Sequence, residues 1–103
     1  PMRAHVTDHL IRRVFSTNPS SARTMRAATL LRACRAAMVK TLAMELGVSQ
    51  YLVEQVMRLV IERCEVLDLY VRGPVRPARR KAQALIRRVT RLHVSGLSGR
   101  HVR

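Results

Sequence analysis

Ser49-Gln50-Tyr51-Leu52-Val53-Glu54-Gln55-Val56-Met57-Arg58-Leu59-Val60-Ile61-Glu62-Arg63-Cys64 is the stretch whose reading decides the fold. Val53, Val56, Met57, Val60 and Cys64 recur at helical spacing on one face, while Glu54, Arg58, Glu62 and Glu65 fall on the other. Ser49, just ahead, is placed to cap the first turn through its hydroxyl. A helix divided this way needs a surface to bury its apolar face, and the nearest candidate lies upstream. Met25 through Leu46 is rich in Ala, Leu, Met and Arg, all strong helix formers, and stops at Gly47. The spacing predicts two helices joined by a short turn, the first of them beginning near Ala22.

Working outward from this pair, Val66-Leu67-Asp68-Leu69-Tyr70-Val71 is β-prone and ends at Arg72-Gly73-Pro74, which reads as a short extended segment running into a turn. Pro74 and Pro77 are expected to keep the linker carrying Arg72, Arg76, Arg79 and Arg80 irregular. A third helix follows from about Ala78 to Val94. Ala82, Leu85, Ile86, Val89 and Leu92 form its apolar stripe, and Arg80, Lys81, Arg87, Arg88 and Arg91 occupy another arc. From Ser95 to Arg100 the chain reads as a flexible basic tail. At the other end, Ser16 to Ser21, with Asn18-Pro19 inside it, is a loop. The residues before it carry Arg3, Arg12 and Arg13, several Ser and Thr, and the single acid Asp8. That composition suits either an organellar transit peptide, for which Arg13-Val14-Phe15-Ser16 resembles an import-cleavage context, or a basic tail lying on RNA. The expected fold is mainly α: a small helical domain of about three helices with one short extended segment and basic flexible termini. Its parts are a tail at 1–21, a helical extension at 22–47, a core at 48–97 and a basic tail at 98–103.

The charge is sorted along the chain. Leu69 to Arg103 holds ten Lys/Arg and no Asp or Glu, whereas Pro1 to Asp68 holds ten against all six carboxylates, for a net charge of +14 in 103 residues. Like charge at this density repels itself unless a polyanion neutralises it, and phosphates do so while releasing counterions. Arginine outnumbers lysine eighteen to two, and a guanidinium can bind phosphate oxygens bidentately or stack on a base. With only Phe15, Tyr51 and Tyr70 as aromatics, a base-stacking platform is disfavoured against backbone and shape recognition. Cys34 and Cys64 lie far apart with no nearby Cys or His to complete a metal half-site, so they read as small buried hydrophobes and no cofactor is expected. No apolar run approaches the ~20 residues of a membrane span. His5, His9, His93 and His101 sit near the ends without a carboxylate cluster, so neither catalysis nor a small-molecule substrate is expected.

Two motif readings compete for the middle of the chain. Leu42 to Val56, with Gly47 at its turn, fits a helix-turn-helix of a DNA-binding transcriptional regulator, whose second helix would offer Ser49, Gln50, Tyr51, Gln55 and Arg58 to base edges. Glu54 and Glu62 on that helix oppose a phosphate surface. The second reading covers Val53 to Leu97. Val53 to Leu67 followed by Val71-Arg72-Gly73, then Gln83-Ala84-Leu85-Ile86-Arg87-Arg88-Val89-Thr90-Arg91-Leu92-His93 and Gly96-Leu97, resembles the eighteenth small-subunit ribosomal protein family of bacterial type, with a three-residue insertion around Pro74 to Pro77. Leu69 and Tyr70 stand where that family has paired arginines. The zinc-binding cysteines of some mitochondrial relatives have no counterpart around Thr41 and Met44, so zinc is not expected. The resemblance implies a structural protein that binds small-subunit rRNA and packs on neighbouring ribosomal proteins, including the sixth small-subunit protein. The basic N-terminal region suggests the mitochondrial matrix, with a plastid or the bacterial cytoplasm as alternatives. The RNA-binding residues expected on this reading are Arg72, Arg76, Arg79, Arg80, Lys81, Arg87, Arg88, Arg91 and Arg100.

Overall fold

A computed structural model describes residues 2–15 and 24–102, with side chains at 6–15 and 24–95. The chain is mainly helical, with four helices and one two-stranded sheet among the described residues: α1 (Met2–Phe15), β1 (Thr24–Arg26), α2 (Ala27–Leu46), α3 (Gln50–Leu67), β2 (Tyr70–Arg72) and α4 (Val75–Val102). The loop expected at Ser16 to Ser21 lies outside the described residues.

The central pair forms as its sequence dictates. Gly47 ends α2 in the left-handed region at φ 65°, which a residue without Cβ adopts at little cost, and Ser49 Oγ accepts the Leu52 amide at 3.1 Å. Ser49→Ala is expected to destabilise the fold by about 1 kcal/mol, read as a lower midpoint in urea at unchanged slope. Beyond Leu67, Asp68 takes up the left-handed conformation at φ 48° and closes α3. Helix therefore continues through Val66 and Leu67, and the extended segment is confined to Tyr70–Arg72. That segment pairs antiparallel with β1, in register Thr24↔Arg72, Met25↔Val71 and Arg26↔Tyr70. The Ala27 amide donates to the Leu69 carbonyl at 2.9 Å, and Arg32 bridges to Glu65. The sheet thus ties the start of α2 to the end of α3, while Gly47 to Ser49 joins their other ends, so the two helices run antiparallel as a hairpin.

Three expectations are corrected. The N-terminal stretch read as a tail is α1, and Leu10, Ile11 and Phe15 are buried in the core. Asp8 pairs with Arg63 of α3, which fixes α1 to the hairpin. Nor do the prolines make an irregular linker: α4 begins at Val75, with the Ala78 amide donating to the Pro74 carbonyl at 3.2 Å. Pro77 falls in the first turn, where its missing N–H would have had no helical partner in any case. The helical backbone also continues past Ser95 to Val102, where a flexible tail was expected.

The core is aliphatic. Leu31, Met38 and Leu42 of α2 meet Val53, Val56, Met57 and Val60 of α3, and Ala82, Leu85 and Ile86 of α4 close over them. Each large side chain buried here contributes roughly 1.5–3 kcal/mol of transfer free energy. Thr90, also fully buried, satisfies its hydroxyl by donating to the Ile86 carbonyl at 2.7 Å.

Candidate nucleic-acid interface

Because the apolar stripe of α4 faces the hairpin, its opposite side is left to solvent, and the basic residues lie there. Arg76, Arg80, Arg88 and Arg91 are exposed, and Lys81 and Arg87 are half-buried. Arg79 is exposed beside the packed arc of the same helix, and Arg72 is exposed on β2, one residue before the buried Gly73. Arg76, Arg79 and Arg80 therefore stand on a rigid helix rather than in a loop, which fixes their spacing. Arg100 lies outside the residues whose side chains are described. Leu92, read as part of the apolar stripe, is 48% exposed and lies outside the packed arc.

Arg87 behaves differently from its neighbours. Its guanidinium pairs with Glu45 near the end of α2, and its Nε is buried without a hydrogen-bond partner. With one arm committed to a carboxylate, Arg87 has less to offer a phosphate than Arg76, Arg80 or Arg91. The sequence gives no local sign of this pair, since the two residues are far apart in the chain and meet only because α4 returns along the hairpin. Among the described residues, Lys81 and Arg88 form no ion pair, nor do Arg76, Arg80 and Arg91.

The outer face of α3 has another character. Glu54, Glu62 and Glu65 line it, with Tyr51, Leu59 and Val66 exposed at 71%, 57% and 73%. Ser49 spends its side chain on the cap, and Gln55 is half-buried. The antiparallel α2 and α3 also differ from the ~90–120° crossing of a helix-turn-helix. Of the residues that motif would use, only Arg58 is cationic, and Glu54 and Glu62 flank it one turn away on either side.

A cleft of about 350 Å³ lies between the end of α2 and α4 and is lined by Glu45, Leu46, Val48, Thr90, Arg91 and Val94. Its one carboxylate is the partner of Arg87, which leaves no free acid–base pair there. Among the described residues no three His, Cys, Asp or Glu side chains come together, and no helix is long and apolar enough to cross a membrane. Cys34 and Cys64 are buried free thiols, and burial pushes the Cys64 thiol up to about 12 from 9.0. A thiol raised in the fold leaves stability intact below pH 9 and withdraws it between about 9 and 12, where the unfolded chain ionises first. Alkylation at pH 8 is expected to spare Cys64 in the folded chain and to modify it in urea, as mass spectrometry will record.

No protein-family model, no curated protein and no solved structure matches this chain.

Proposed function

We propose that this chain is a structural RNA-binding protein of a small ribosomal subunit, mitochondrial by preference, that contacts rRNA through the outer face of α4. The observation that carries the reading is the separation of charge. The basic residues of α4 belong to a stretch from Leu69 onward that contains no carboxylate, and among the described residues only Glu45 reaches over to neutralise one of them, the half-buried Arg87. A fixed array of guanidinium groups on a helix, with no aromatic ring on its cationic face, suits phosphate and shape recognition rather than base stacking. The order of α3, the short β2 and α4 also follows the helix, extended stretch and closing helix of the ribosomal family that Val53 to Leu97 resembles.

The exposed Tyr51, Leu59 and Val66 of α3 offer an apolar surface to a neighbouring ribosomal protein, on the side where acids discourage RNA. In this arrangement the protein scaffolds: α4 holds RNA and α3 holds a protein neighbour. The test is sedimentation of the native protein from cell or organelle extract through a sucrose gradient, with and without RNase and at raised salt. Migration with the small subunit, abolished by RNase, is the expected result. A protein that stays at the top of the gradient overturns the ribosomal assignment and directs attention to duplex-site selection for a DNA-binding regulator.

A further inference from the structure

The outer face of α4 carries two rows of cations. At 3.6 residues per turn, Arg76, Arg80 and Arg91 stay within one narrow arc, which they share with Arg87, whose guanidinium is held by Glu45. Lys81 and Arg88, seven apart, run along the other flank. Between the rows lie Pro77, Ala84 and Ser95, all exposed and all small. Arg76 and Arg91 are separated by about 22 Å along the axis at 1.5 Å per residue. One phosphate strand lying on the helix is served by one row of cations. Two rows on either side of a low ridge match two backbones, one on each flank.

A helix with its side chains is about 10–12 Å across, close to the ~12 Å width of a B-form major groove, whereas the major groove of regular A-form RNA is too deep and narrow to admit it. Unpaired nucleotides that interrupt an RNA duplex let this groove open. We infer that α4 seats lengthwise in the opened major groove of a bulged RNA duplex, with its two cationic rows on opposite strands and Ala84 at the point of closest approach. This rests on the RNA-binding reading and specifies the class of RNA. It also gives the small residues a role: any large side chain at Ala84 lifts the helix away from the groove floor.

The full chain is titrated by fluorescence anisotropy against an RNA hairpin with a bulge, an unpaired RNA of equal length and a DNA duplex. Three proteins are compared: the unaltered chain, Ala84→Trp, and the Lys81→Gln/Arg88→Gln double variant, with circular dichroism confirming that α4 remains helical. The bulged hairpin is expected to bind at least about tenfold tighter than the unpaired strand, and Ala84→Trp to lose about tenfold on the hairpin alone. The double variant is expected to lower the salt slope on the hairpin by roughly 2, near 0.9 per lost phosphate contact. Equal binding of hairpin and unpaired RNA, with Ala84→Trp harmless, overturns the groove seating and leaves the RNA reading standing. Tightest binding to the DNA duplex overturns the RNA reading, and failure to bind any RNA overturns both.

Discussion

Replacing Arg76, Arg80 and Arg91 together by Gln is expected to weaken RNA binding roughly 100-fold near 0.1 M salt, at about 1 kcal/mol for each exposed phosphate contact. The same variant is expected to reduce the slope of log affinity against log salt by about 2–3, since each lost contact leaves one set of counterions in place. Arg58→Gln removes an identical charge from α3, but from between Glu54 and Glu62, where a phosphate is repelled. Its affinity is expected to stay within about twofold of the parent. The comparison separates placed charge from net charge. If the loss per arginine is the same on α3 as on α4, the chain binds RNA merely as a polycation and the ordered face of α4 has no special role. Thermal midpoints are expected to remain near the parent value for all these variants, because the side chains are exposed and their stems cover little of the core. Arg87 is excluded from the set because its pairing with Glu45 would mix a lost ion pair with a lost RNA contact.

Where pattern and local chemistry agree, the sequence is legible. The apolar face of α3 and the Ser49 cap could be read directly, because both depend on residues within a turn or two of each other. The end of α2 at Gly47 is equally local. Three features were harder. Pro77 looks like a breaker until it is placed in the first turn, where a missing N–H is harmless. The three-residue strands owe their existence to a pairing across the α2–α3 hairpin, and Val66 and Leu67, β-prone by type, are held in helix until Asp68 turns the chain. α1 was obscured by composition, since its arginines suggest a tail, although Leu10, Ile11, Val14 and Phe15 already give it an apolar side. At the candidate interface the basic residues were legible as types and positions. Their division into two rows was not, because that required knowing that helix begins at Val75 and which side of it is packed.

The structural place of α1 leads to the second large effect. Phe15→Ala is expected to destabilise the fold by roughly 3–5 kcal/mol, which is a large fraction of the ~5–15 kcal/mol that holds a domain of this size together. At about 4 °C or more per kcal/mol, the thermal midpoint falls by at least roughly 12 °C. Phe15 is 4% exposed and Ile11 fully buried, so neither can leave water without contacts from the other helices. Arg12→Gln, on the exposed side of α1, is expected to change the midpoint by less than about 2 °C. Equal midpoints for the two variants would contradict the packing of α1 and return this segment to a tail or a leader. The Asp8–Arg63 pair adds a polar tie: the hydrogen bond from Arg63 to Asp8 raises the guanidinium pKa above its usual value, against a smaller opposing effect of desolvation. The consequence for RNA binding is indirect but measurable. α1 packs on α4, so its loss loosens the support of the helix that carries the cationic face, even though no contact to RNA is removed. Phe15→Ala should therefore bind RNA as the parent does well below its midpoint and weaken steeply near it, with added RNA raising the midpoint because RNA selects the folded chain.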